Sequence, residues 1–234
     1  MKKPWVLALI AGLIVLLAAF ALPLLRMAGG GAEPATAAGG LPWQVNLLPD
    51  GHAQVFGLVP GRDTLAEAEA RFGDALQVAL VARLGETGVL EALVEPFVAG
   101  FVAGRLVLAF DADAAALARW RDQAGGSQPM DGGVRRFTLN GAARDEARRA
   151  RLVGLSFVPS VRLSEADVRQ RFGAPAEALA QPGGGQVLLY PALGLSITVA
   201  EGQRGVLQYV APAEFEARLR APLVAASAAA PPAR

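Results

Sequence analysis

The chain has 234 residues, of which 53% are hydrophobic and 18% charged, with 22 Lys plus Arg against 21 Asp plus Glu, one His and no Cys. This composition is too apolar for a disordered chain, and the near balance of charge lacks the basic excess that nucleic-acid binding needs. A chain without thiols forms no disulfide, cysteine nucleophile or thiolate zinc site, and one imidazole disfavours a triad or a histidine metal cage. We therefore predict no catalytic residue, no metal, no cofactor and no nucleic-acid partner.

An uncharged run from Pro4 to Leu25 opens the chain. As a helix it would be about 33 Å long, enough to cross the hydrocarbon core of a bilayer. Lys2 and Lys3 precede the run and only Arg26 follows it, so the positive-inside rule keeps the N-terminus in the cytoplasm. The sequence predicts a single-pass anchor in the bacterial inner membrane within residues 1–27, with the body in the periplasm.

A cleaved signal peptide is the alternative, because Ala19-Phe20-Ala21 has the small-x-small pattern of a cleavage site. That site lies inside the apolar run, and the run is longer than a typical signal core, which favours the anchor. In both cases the body leaves the cytoplasm. No Cys follows the run, so a diacylated lipoprotein is excluded.

Small residues follow the anchor. Residues 28–40 are rich in Gly and Ala and predict a flexible linker. Strands are then predicted at residues 43–48 and 54–58, on either side of a turn at residues 49–51, Pro-Asp-Gly. His52 follows that turn, so we expect it to be solvated near a hairpin tip.

The remaining chain contains an internal repeat. Residues 59–73 align with residues 158–173, from Val-Pro to Arg-Phe-Gly, and residues 105–120 align with residues 204–219. Two separated matches at almost one offset, about 100 residues, indicate two copies of one structural unit.

We predict a first α+β unit over residues 41–125, a second over residues 126–220 and a disordered tail over residues 221–234. The fold class is thus α+β, an N-terminal transmembrane helix followed by a tandem repeat of short helix plus antiparallel β-meander. The predicted strands are 76–83, 89–95 and 105–110 in the first unit and 186–190, 195–200 and 205–210 in the second, with closing helices at 114–122 and 213–220.

Each unit carries the same signals for the start of its first helix. Thr64 with Glu67 forms a capping box, and Ser164 with Asp167 forms a weaker one. These hydroxyls accept from backbone N–H groups that have no partner inside the helix, so Thr64 and Ser164 act as structural anchors.

The C-terminal ends of the two predicted helices also have the same residues. Phe72 and Phe172 lie on the apolar faces of the predicted helices and serve as core anchors. Gly73 and Gly173 follow them and can end each helix in a left-handed conformation.

Two charged segments are predicted to be solvated surface. Residues 135–151 are rich in Arg and predict a solvated connector with local ion pairs between the units. Glu91 and Glu95 share one face of a strand, a spacing that could serve acid–base chemistry, and we predict instead a solvated sheet edge.

A family resemblance rests on the second copy. An Arg-Phe-Gly-x-Pro turn at residues 171–175, Tyr190 on a strand and a meander ending at residues 206–210 resemble the BamE (SmpA/OmlA) family of small envelope proteins. The similarity covers residues 162–210, and residues 62–110 loosely. Members of that family are lipoproteins that bind partner proteins during outer-membrane assembly, so the resemblance implies a protein-binding domain. This chain differs in having two copies and no lipobox cysteine.

The anchor, the linker and the repeat together predict a membrane-tethered periplasmic protein-interaction module for envelope assembly or maintenance. Its partner would be an envelope protein, bound at a sheet edge that accepts a strand or side chains. The predicted partner surface comprises Tyr190, Val206, Leu207 and Tyr209. A periplasmic enzyme with carboxylate chemistry and a carrier of a small apolar ligand remain the alternatives. A deep pocket with titratable groups would favour the enzyme, and a shallow apolar groove the interaction module.

Overall fold

The structure is a computed structural model that describes residues 35–36, 40–83, 85–181 and 184–229. Its α-helices are α1 (Leu65–Phe72), α2 (Ala114–Asp122), α3 (Gly141–Ala147), α4 (Glu165–Phe172) and α5 (Ala221–Ala229). Its strands are β1 (Ala35–Thr36), β2 (Asn46–Leu47), β3 (Ala53–Gln54), β4 (Leu76–Arg83), β5 (Val89–Ala99), β6 (Val102–Asp111), β7 (Gly126–Pro129), β8 (Val134–Thr138), β9 (Arg151–Pro159), β10 (Glu177–Ala180), β11 (Gln186–Tyr190), β12 (Leu195–Val199) and β13 (Val206–Tyr209).

Ten of these strands form one antiparallel sheet in the order β10-β11-β12-β13-β9-β6-β5-β4-β8-β7. The short β1 adds to this sheet by pairing in parallel with Phe97 and Val98 of β5. Strands β2 and β3 form a separate hairpin around the predicted Pro-Asp-Gly turn. The large sheet therefore organises most of the described chain.

The predicted fold class is wrong, because the two meanders are not the sheets of two successive units. Strand β9, in a segment where no strand was predicted from the sequence, pairs with β6 on one side and with β13 on the other. Its Phe157 lies opposite Leu106 of β6 and Leu207 of β13. The strands of both repeats thus belong to one continuous β-rich fold with short helices.

The segment predicted as a connector is also ordered. It contributes β8, which pairs with β4 and β7, and helix α3. Apolar residues next to the arginines explain this result, since Val134, Ala143 and Ala147 are buried while Arg135 and Arg148 are exposed.

One face of the sheet carries the main core. Alternate strand residues such as Leu80, Leu108 and Ile197 are fully buried there under helices α1 to α4. A cluster of four aromatic rings, Phe56, Phe97, Phe157 and Tyr209, lies at its centre, with ring centroids 5.2–5.8 Å apart. Burial of these large rings contributes to the hydrophobic stabilisation of the core.

The opposite face is covered at one end by the C-terminal segment. A π-helical turn at Glu216–Arg220 leads into α5, and Phe215, Leu219 and Leu223 pack on Val187 and Leu189 of β11. The prediction of a disordered tail is therefore wrong for residues 221–229, where an apolar side chain at position 223 anchors the helix to the sheet.

The predicted structural anchors lie at the ends of two equivalent helices: Thr64, Phe72 and Gly73 at α1, and Ser164, Phe172 and Gly173 at α4. Both capping boxes form, with the backbone N–H of Thr64 donating to Glu67 at 2.8 Å and that of Ser164 donating to Asp167 at 3.1 Å. Hydrogen bonds from the Thr64 and Ser164 hydroxyls, and then those from their backbone N–H groups, hold the pKa of Glu67 and Asp167 below the usual value. The caps therefore fix where α1 and α4 begin.

At the other ends of these helices, Gly73 and Gly173 adopt positive φ angles of 54° and 78°. Phe72 and Phe172 are half-buried, and their rings lie 5.9 Å from Phe97 and 5.6 Å from Tyr190. They contact the core at its margin.

We expect Ser164→Ala to lower the free energy of unfolding by about 1 kcal/mol, because the N-terminal N–H groups of α4 lose their acceptor. Denaturant unfolding of the detergent-solubilised full chain measures this change. Ser160→Ala, at an exposed position outside any helix, serves as the control. Equal stability of the Ser164 variant and the control would contradict the role of the cap.

Within the described residues, no helix has the length and apolar character needed to cross a bilayer. The predicted anchor, residues 4–25, lies outside the described residues and stays a prediction.

Candidate interaction groove

An apolar groove opens at the end of the sheet where β5 turns into β6. It encloses a pocket of about 160 Å³. The lining residues come from the segment before β2, the β5–β6 turn, the end of β9 and the loop after it, helix α4 and strand β13: Pro42, Trp43, Phe101, Val102, Phe157, Pro159, Val161, Leu163, Val168, Arg171, Phe172 and Leu207. All but Arg171 are apolar, so the groove favours an apolar group.

Two loop tips form the rim of the groove. Phe101 follows Gly100 in the β5–β6 turn and is 75% exposed, and Val161 follows β9 and is 55% exposed. Gly100 has a φ of 62° and packs so close to Leu41 that a Cβ there would lie 2.6 Å from the Leu41 side chain. This turn holds Phe101 outward, where burial against a partner would be favourable.

The third side of the rim is Trp43. The Tyr209 hydroxyl donates to the Pro42 carbonyl at 2.6 Å, which ties this segment to the core. The Arg171 guanidinium lies 3.7 Å from the centre of the Trp43 ring, and the Phe101 ring lies 5.8 Å from it. Burial raises the pKa of Tyr209 well above its usual value, so this hydroxyl remains a donor. Arg171 adds a cation at the mouth of an otherwise apolar site.

The size of the pocket limits what can enter it. Its 160 Å³ is close to the roughly 150 Å³ of an apolar cavity that accepts one benzene ring. Pockets for whole small-molecule ligands are larger, about 300–1,000 Å³. The pocket therefore fits a single aromatic or branched aliphatic side chain better than a complete apolar ligand.

The predicted partner surface lies mostly inside the protein. Tyr190, Leu207 and Tyr209 are buried because they point to the core face of the sheet, and Val206 is half-buried on the other face. Strand β13 has neighbours on both sides, β12 and β9, so it offers no edge to a partner strand. This part of the prediction is wrong, although Leu207 does reach the floor of the groove.

Phe101, the most exposed large apolar side chain of the described residues, was not predicted from the sequence as a candidate for the functional site. A usable signal was present, since Phe101 follows a glycine at the point where two apolar strands must reverse direction. An aromatic residue at a hairpin tip points away from both strands and has no core to enter.

His52 lies in the loop of the β2–β3 hairpin, partly exposed, with its Nδ1 atom 3.2 Å from Oδ1 of Asp50. This is the position predicted from the Pro-Asp-Gly turn. Among the residues that the structure describes, no group of three His, Asp or Glu side chains is arranged to hold a metal ion.

Glu91 and Glu95 do not lie on a solvated edge, because β5 is a central strand between β4 and β6. Glu91 pairs across the sheet with Ala79 and Ala109, and burial raises its pKa to about 7. Glu95 accepts a hydrogen bond from Arg105 at 2.7 Å. Neither carboxylate faces the groove, which lies on the other side of the sheet.

Comparison of the chain with protein-family models, with curated proteins and with solved structures finds no match.

Proposed function

We propose that this protein is a membrane-tethered periplasmic interaction module that binds an apolar side chain of a partner protein in the Phe101 groove. The observation that carries the proposal is an open apolar pocket of side-chain size beside two exposed apolar loop tips. Side chains that are buried in a pocket and shielded from water by the surrounding contacts provide most of the affinity in protein interfaces.

Three further features support the same function. The uncharged run at residues 4–25 behind Lys2 and Lys3 provides a tether. The resemblance of residues 162–210 to the BamE family favours an envelope protein as the partner. The position of Arg171 at the mouth of the pocket favours a carboxylate close to the apolar side chain of that partner.

The test uses the full chain in cells, with a photo-crosslinking amino acid in place of Val161. We expect adducts with one partner, and mass spectrometry should map the crosslink next to a bulky apolar residue. Phe101→Asp should weaken partner capture about 10- to 100-fold, because the contact of one large apolar side chain contributes about 1.5–3 kcal/mol.

Leu47→Asp is the matched control, since Leu47 is 56% exposed on the β2–β3 hairpin and does not line the groove. This variant should capture the partner like the unmodified chain. Equal capture by the Phe101 variant and the control would overturn the role of the groove. Cytoplasmic activity of a reporter fused after Arg234 would overturn the periplasmic location.

A further inference from the structure

The tether joins the body at the same end of the sheet as the groove. Strand β1, Ala35–Thr36, pairs with Phe97 and Val98, only a few residues before the β5–β6 turn. From Gly40 onward the chain remains at this end, because Leu41 packs against Gly100 and Pro42 accepts the hydrogen bond from Tyr209. The body is thus attached by its groove end.

The length of the connection keeps this end near the membrane. The apolar run ends at Leu25, ten residues before Ala35. A fully extended chain spans at most about 3.5 Å per residue, so Ala35 lies within about 35 Å of the end of the anchor. Such a short tether gives the groove end a high effective concentration at the bilayer surface.

The residues at this end match the chemistry of an anionic lipid surface. Phe101 and Val161 are two of the four large apolar side chains that are well exposed among the described residues. Arg162, next to Val161, is exposed, and Arg171 presents its guanidinium above Trp43. Aromatic side chains favour the interface between lipid and water, and arginine binds phosphate oxygens in a bidentate manner.

We propose that Phe101 and Val161 rest in the interfacial layer of the membrane that tethers the chain, with Arg162 facing the phosphates of anionic phospholipids. This inference rests on the membrane tether of the proposed function. It also specifies that function, because a groove that opens at the lipid surface meets partner segments that lie at the bilayer surface. The partner would then be another protein of the same membrane.

The absence of cysteine from the chain allows a direct test. A fluorescent label is attached to Ser160→Cys, beside the groove, or to Glu86→Cys in the turn between β4 and β5, at the far end of those strands. The full chain is placed in nanodiscs of phosphatidylcholine and phosphatidylglycerol that contain a nitroxide-labelled lipid. We expect quenching at position 160 to exceed quenching at position 86 at least twofold.

Variants then identify the contacts. Phe101→Asp and Arg162→Glu, each in the Ser160→Cys chain, should reduce quenching severalfold, while Leu47→Asp should leave it unchanged. Quenching that is just as strong in discs of phosphatidylcholine alone, whose headgroup has no net charge, would overturn the contact with anionic phospholipids.

The outcomes separate this inference from the proposed function. A chain that fails to co-elute with the discs would overturn the tether, and both proposals with it. A chain that co-elutes but shows equal quenching at positions 160 and 86 would overturn the lipid contact alone, and would leave the groove available to a partner in solution.

Discussion

Phe56→Ala should lower the free energy of unfolding by about 3–5 kcal/mol, the usual cost of removing a fully buried aromatic ring. Phe56 is completely buried, and its ring lies 5.2 Å from Phe97, 5.5 Å from Phe157 and 5.7 Å from Tyr209. The three neighbours lie on strands β5, β9 and β13, which are distant in the sequence but held in one sheet, so the cavity cannot close by a local movement. Denaturant unfolding of the full chain in detergent measures the loss.

Two comparisons make this prediction specific. Leu47→Ala, at an exposed position, should change the free energy of unfolding by less than about 0.5 kcal/mol. Phe72→Ala should have an intermediate effect, because Phe72 is half-buried at the edge of the same cluster. A loss at Phe56 no larger than the loss at Phe72 would show that the ring cluster is not the centre of the core.

Glu91→Gln should remove a pH dependence of stability that the unmodified chain shows between about pH 4.5 and pH 7. The pKa of Glu91 is raised from 4.5 to about 7 by burial. In this interval the folded chain keeps a proton that the unfolded chain has lost, so the free energy of unfolding falls as the pH rises. Above pH 7 both states are ionised and the loss levels off.

At pH 8 the Glu91→Gln variant should therefore be more stable than the unmodified chain by about 1–3 kcal/mol. Carboxyls with lowered pKa values, such as Asp167 and Glu177, produce the opposite dependence at lower pH, and they are present in both proteins. The difference between the two unfolding curves against pH isolates Glu91. Glu86→Gln, at an exposed position, is the control, and its free energy of unfolding should change with pH in parallel with that of the unmodified chain. The same parallel behaviour for Glu91→Gln would contradict the burial of the Glu91 carboxyl.

Local patterns predicted individual elements well. The bounds predicted for β4, β11 and α2 agree with the structure, because each has a clear hydrophobic pattern between turn or capping residues. Thr64 and Ser164 likewise mark the helix starts through hydrogen bonds to residues only three positions away. Such signals depend on short stretches of chain, which a single sequence contains in full.

Long-range pairing could not be predicted in this way. Strand β9 is buried on both faces and reads as a nearly continuous apolar run, without the alternation that indicates a strand. Its neighbours, β6 and β13, are distant in the sequence, and no local pattern specifies them. The groove was missed for the same reason, since Trp43, Phe101 and Arg171 meet only once this sheet has formed.

The central position of β9 has a consequence for the order of assembly. As the chain is synthesised, β4, β5 and β6 emerge before β9, which begins forty residues after β6 ends. Until then β6 is an outer strand whose ten residues include only Arg105 and Asp111 as charges. An apolar outer strand of this length readily pairs with other chains. Once β9 has been synthesised it pairs with the open side of β6, and β13 then pairs with the other side of β9. A nascent chain that stops before Arg151 is therefore the form most prone to aggregate, and the two sequence repeats mature as one cooperative unit.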